Sequence, residues 1–166
     1  MANVDAASAL HTVDAEQLKI LIAEARASAR RRSHLLLHAG HGDQVQRLVI
    51  AAEPGTYIRP HHHSEQWEML ILLRGVLDVL IFDAQGTVRE RRRLDASAPV
   101  VQIAMGEWHG CIAAESGTVV MEFKPGPFRP NEFADWAPPE QDAEAKGCLD
   151  WLSRAKPNER WRSARV

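Results

Sequence analysis

The sequence predicts an all-β fold, a jelly-roll barrel with a helix at each end. Three observations carry this. Short runs rich in Val, Ile, Leu and aromatics follow one another from Val45 to Lys124. Turn residues separate them: Pro54-Gly55, Gly75, Asp83 to Gly86, Gly106 and Ser116-Gly117. No helical periodicity lies between them, so the crossovers of a parallel sheet are missing and an antiparallel sandwich or barrel remains.

The first element is the helix in "DAEQLKILIAEARASA". Asp14 can cap it and Gln17 can close a capping box. Ala15, Leu18, Ile22 and Ala25 then recur at helical spacing and need a surface to cover. The next stretch, "RRRSHLLLHAGHGDQ", reads as irregular, ending in Gly and Asp turn signals. Eight strand candidates follow: "VQRLVIAA", "TYIRPHH", "WEMLILLRG", "VLDVLIFD", "TVRERRRL", "PVVQIA", "WHGCIAA" and "GTVVMEFK". The basic run Arg89 to Leu94 reads as a solvated edge strand. Prolines in "KPGPFRPNEFADWAPP" end strand structure. "EQDAEAKGCLDWLSRA" reads as a C-terminal helix stopped at Lys156-Pro157, and the tail from Asn158 to Val166 as loose. The expected division is residues 1–42 as an N-terminal helix and extension, 43–128 as the barrel, and 129–166 as a C-terminal extension with its helix.

Composition narrows the function. The 166 residues carry a net charge of -2 and a pI near 6.4, giving no electrostatic reason to expect nucleic acid or an anionic membrane as partner. No apolar run approaches the ~20 residues of a membrane helix, and no secretory signal is visible. Two cysteines, Cys111 and Cys148, form no disulfide framework. A cytoplasmic protein with a small-molecule substrate or ligand is expected.

The chemistry concentrates in "RPHHHSEQWE". On a strand, His61 and His63 share a face and His62 points away, so the outer two can chelate one ion. Glu68 opens the next strand and can swing back to that ion. His109, in "MGEWHG", lies on a later strand after a glycine turn. Three imidazoles and one carboxylate form a mixed N/O site that leaves positions open on an octahedral ion. Such a site suits one divalent transition metal: Fe, Mn, Ni, Co or Zn.

At these residues the sequence resembles the cupin superfamily. Its first motif, G-x5-H-x-H-x4-E-x6-G, is matched by "GTYIRPHHHSEQWEMLILLRG". The second motif keeps Gly106 and His109 but has Ala98, Ala104 and Ala113 where glycine, proline and asparagine are usual. "HLLLHAGHGDQVQRLVIAAEPGTYIRPHHH", "QWEMLILLRGVLDVLIFD" and "MEFKPGPF" look like the WbuC family of cupin-fold metalloproteins, as do the leading helix and the "FADWAPP" ending. The resemblance implies a metal held by His61, His63, Glu68 and His109 at the barrel mouth, in bacterial polysaccharide or O-antigen metabolism. It names no reaction.

Tyr57 and Arg59 share the strand face of His61 and His63 in this register, and Glu122 and Lys124 alternate together on "VVMEFK". These four are candidate substrate-binding residues, with barrel-end salt bridges as the alternative for Arg59 and Lys124. Cys111, two residues after His109, reads as a small buried hydrophobe on the metal side, within reach of a Tyr57 partnership. His34, His38 and His41 lack a completing ligand and read as surface or hydrogen-bonded histidines. Trp67 and Trp108 each precede a ligand and should point away from the metal.

The leading expectation is Lewis-acid chemistry on a small polar, sugar-related or carboxylate substrate, as isomerisation, epimerisation or hydrolysis. A non-heme iron dioxygenase and a non-catalytic ligand-binding cupin are the alternatives. The outward apolar residues of "LILLRGVLDVLIF" predict a homodimer.

Overall fold

Alternating apolar residues in the short runs build two facing sheets. The structure, a computed structural model, describes residues 2–3 and 10–163. Its strands are β1 (Ala2–Asn3), β2 (Arg32–Leu36), β3 (Val45–Ala52), β4 (His61–His62), β5 (Glu68–Arg74), β6 (Leu77–Phe82), β7 (Val88–Leu94), β8 (Val100–Ile103), β9 (Trp108–Ala113), β10 (Thr118–Pro125) and β11 (Glu132–Phe133). The helices are α1 (Ala15–Ala27) and α2 (Ala145–Leu152). One sheet runs β1-β2-β3-β10-β5-β8 and the other β11-β4-β9-β6-β7. Every pairing is antiparallel except β1 with β2. This is the expected all-β jelly-roll sandwich with a helix near each end. No helix among the described residues is long and apolar enough to cross a membrane.

Three apolar clusters hold the layers together. Between the sheets lie Leu70, Leu77, Val79, Leu94, Ile103, Cys111 and Val120. Helix α1 covers part of the outer face of the larger sheet, seating Leu21, Ile22 and Ala25 on Val49, Ala51 and Val119. Its capping box forms as expected, with Asp14 accepting from the backbone of Glu16 and Gln17. On the far side, α2 packs Cys148, Trp151 and Leu152 against Tyr57, Leu80 and Phe82. Strand β6 is therefore covered on both faces, and five of its six residues are buried. Covering both faces accounts for its near-continuous apolar run.

Four expectations need correction. "RSHLL" is strand β2, not irregular chain, because it pairs residue for residue with β3. "TYIRPHH" contributes only the two-residue β4; a turn at Pro54-Gly55 and Pro60, which has no N–H to donate, keep the rest out of the sheet. The proline-rich segment contains the short strand β11, paired with β4. The tail is tied down as far as it is described. Asn158 N donates to the Val88 carbonyl at 2.8 Å, and Trp161 packs 5.9 Å from Trp151. Residues 164–166 of that tail lie outside the described residues. Strands before residue 43 and after residue 128 join the same two sheets as the central ones.

Charge reinforces the smaller sheet. Asp78 is buried on β6 and accepts from Arg91 at 2.7 Å and from Arg93 at 2.9 Å, both on the neighbouring edge strand β7. Arg91 also donates to the carbonyls of Leu152, Ser153 and Ala155, closing the C-terminal end of α2. The basic run forms an edge strand, as expected, but Arg91 and Arg93 are spent on the fold.

Candidate metal centre

Strand parity sends Glu68 and His109 inward. Glu68 shares a face with Leu70, and His109 shares one with Cys111, both interior residues. His61 pairs directly with His109 across β4 and β9. His63 follows the end of β4, and its carbonyl accepts from Gly106 N at 2.8 Å. Gly106 has φ +78°, a conformation glycine adopts without a steric penalty. That turn starts the strand carrying His109.

One ligand atom from each of His61, His63, Glu68 and His109 lies within 4.8 Å of the other three. All four residues are at most 7 % exposed. His61 Nδ1 donates to the Arg59 carbonyl at 2.9 Å, and His109 Nδ1 donates to the Glu107 carbonyl at 2.9 Å. Each bond fixes the tautomer and leaves Nε2 as the lone-pair nitrogen, the arrangement metal-bound imidazoles use. His63 Nε2 sits 2.9 Å from Glu68 Oε2, and His109 Nε2 sits 3.8 Å from the same oxygen.

Electrostatics favour the metal-competent protonation states. Burial, helped by His109, pushes His61 down to about 3, keeping it neutral. Burial also lowers His109. For Glu68, burial acts to raise the carboxyl, but the His63 hydrogen bond and the neighbouring His109 and Lys124 outweigh it and hold it ionised. His109 Nε2 and His63 Nδ1 are buried with no hydrogen-bond partner. A cation would satisfy the first of these orphans, so the residues present fit a divalent transition metal.

The substrate-residue candidates divide. Glu122 and Lys124 lie on the interior face of β10, on the same parity as Val120, and both are buried. Lys124 Nζ is 2.9 Å from Glu122 Oε1 and 4.0 Å from Glu68 Oε2. Tyr57 and Arg59 are not brought to the ligands. The Tyr57 hydroxyl donates to the Pro138 carbonyl at 2.8 Å, within the outer cluster under α2. The Arg59 guanidinium donates to the carbonyls of Ala137 and Ala134 and lies 5.3 Å from the Phe133 ring centre. Because residues 57–59 are not a strand, alternation does not carry their side chains to the ligand face. What Arg59 contributes is its backbone carbonyl, as does Glu107. Sequence reasoning missed both, since a carbonyl two residues before a histidine has no residue-type signature.

Cys111 is buried between the sheets, and burial pushes its thiol well up. It is not among the converging ligands, and Tyr57 lies in the other cluster, where its sulfur neighbour is Cys148. His38 is tied to the Arg47 backbone, His41 lies 4.6 Å from the Phe128 ring, and burial with Arg32 and Arg30 lowers His34 to about 4. Among the described residues, only the His61/His63/Glu68/His109 group has metal-site geometry. Trp108 turns away from it to stack on His62 at 4.0 Å, and Trp67 is exposed. A cavity of about 240 Å³ adjoins the centre, lined by His63, Gln66, Arg129 and Glu132 among others.

Comparison with known proteins agrees on the architecture. A family described as a domain of unknown function (DUF6016) matches residues 13–94. No curated protein matches the chain. Among solved structures, the conserved SPY1581 protein of unknown function from Streptococcus pyogenes is similar at 14% identity. It covers 78% of this chain and 98% of its own, with a TM-score of 0.53. Rru_A2000 from Rhodospirillum rubrum, a cupin-2 domain, is similar at 15% identity and TM-score 0.50, covering 74% of this chain and 80% of its own. The DMSP lyase DddQ from Ruegeria pomeroyi is similar at 17% identity and TM-score 0.50, covering 63% of this chain and 52% of its own. At these identities the likeness establishes the fold. The chain has a cupin-like fold, with a buried three-histidine, one-glutamate group that could hold a metal ion.

Proposed function

We propose that this chain is a metal-dependent cupin that transforms a small polar molecule. The observation that carries the reading is the convergence of three imidazoles and one carboxylate, with the His109 Nε2 lone pair buried and unpartnered. A divalent ion bound there supplies Lewis acidity toward a carbonyl or hydroxyl oxygen, or activates water. His61 and His109 present fixed nitrogens because backbone carbonyls hold their other ring N–H. Glu68 supplies the anionic oxygen, and the apolar residues packed below it exclude bulk water.

The narrower reading is a WbuC-type cupin acting on a sugar-related or carboxylate substrate of bacterial polysaccharide metabolism. Its support is the likeness of the sequence around the first histidine motif, of "MEFKPGPF", of the leading helix and of the "FADWAPP" ending. The test is proton exchange. Metal-loaded protein is incubated anaerobically in D2O with a panel of keto-sugars and uronic acids and followed by proton NMR. Metal-dependent exchange at an enolisable carbon is the expected result. Iron-dependent oxygen uptake would move the assignment to a dioxygenase. Ligand-induced stabilisation with no exchange and no product would move it to a binding protein.

A further inference from the structure

Glu122 and Lys124 form a charged pair inside a barrel whose other interior residues are largely apolar. In register, Glu122 faces Leu48 on β3 and Leu70 on β5. Replacing such a buried pair by apolar side chains is commonly neutral or stabilising, so the fold does not account for it. Of the three protons on Lys124 Nζ, one is within reach of Glu122 Oε1. Glu68 Oε2, at 4.0 Å, is attracted but not hydrogen-bonded. Among the described residues no further acceptor is bonded to that ammonium.

We infer that Lys124 is the anion anchor of this site, binding the carboxylate of a small organic acid whose other oxygen occupies an open position at the metal. This deepens the metal-centre reading and rests on it. Geometry selects the ligand class: an ammonium with donors to spare, 4.0 Å from a ligand oxygen of the metal centre, suits a compact anion that can also reach the ion, as a carboxylate can. Glu122 Oε1 takes one of the ammonium's protons and competes with the ligand for it. Lys124 is therefore a specificity-determining residue.

The test uses the zinc-loaded full chain and calorimetric titration with glycolate, with ethylene glycol as the neutral control. Glycolate binding is expected, and at least about tenfold weaker binding of ethylene glycol, the loss expected for one charge-assisted hydrogen bond. Lys124→Met should keep one zinc per chain and bind glycolate about tenfold more weakly. Glu122→Gln removes the competing carboxylate and should tighten glycolate binding, a direction that a purely structural ion pair would not produce. If Lys124→Met fails to fold, the Glu122→Gln direction decides. Equal glycolate affinity in wild type and Lys124→Met, or weakened binding in Glu122→Gln, overturns the inference while leaving the metal centre intact. Wild-type protein that takes up no zinc overturns both.

Discussion

Metal binding should stabilise this protein by a measurable amount, and the ligand group indicates why. His109 Nε2 is buried without a hydrogen-bond partner. Each buried unsatisfied group costs about 1–3 kcal/mol. An ion that binds the folded chain alone and is held at about 100 times its Kd contributes about 2.7 kcal/mol. For a chain of this size, each kcal/mol moves Tm by about 2–4 °C, so saturation should raise it by about 5–11 °C. The assay is thermal unfolding of chelator-treated protein, titrated separately with Mn, Fe, Co, Ni and Zn. His109→Ala should abolish most of the shift. If none of the five ions moves Tm by more than a degree, or if His109→Ala shifts as the wild type does, the four side chains do not act as a common ligand set.

Three further outcomes are expected. Asp78→Ala removes the carboxylate shared by Arg91 and Arg93 and loosens the end of α2, and should cost about 2–3 kcal/mol in chemical denaturation with faster hydrogen exchange in Ala145–Leu152. His34 has its folded value lowered to about 4, against about 6.5 when unfolded. The unfolded chain therefore binds more protons between those values, so stability falls as pH drops through that window. The loss reaches up to about 3 kcal/mol and should disappear in His34→Gln. Exposed Leu73 and Val100, on adjacent strands at the open β8 edge, support a homodimer. Sedimentation should find a dimer at micromolar concentration, converted to monomer by Leu73→Asp, and a monomeric wild type would refute the assignment.

The strands and the ligand group were legible because both rest on period-two alternation. Once His61 and His63 are placed two apart, and Glu68 and His109 at strand starts, parity and one glycine turn bring them together. The same alternation failed at Tyr57 and Arg59, where Pro60 and the Pro54-Gly55 turn take the chain out of the sheet. Which way those side chains turn is decided by carbonyls at Ala134, Ala137 and Pro138, some 75 to 81 residues away. No local pattern encodes such partners. Strand β2 was obscured by the arginine run Arg30 to Arg32 at its start, of which Arg32 ends in a long-range pair with Glu140. The tail was hidden likewise, because its partners are distant: Trp161 packs on Trp151, and Asn158 and Glu159 bond the Val88 backbone of β7.

The most direct measurement is anomalous diffraction from crystals of the metal-loaded protein, collected on both sides of the ion's absorption edge. One strong peak per chain, ligated by His61, His63, Glu68 and His109, is the predicted result. A peak elsewhere, or none at full metal loading, would contradict the functional reading and leave only the fold.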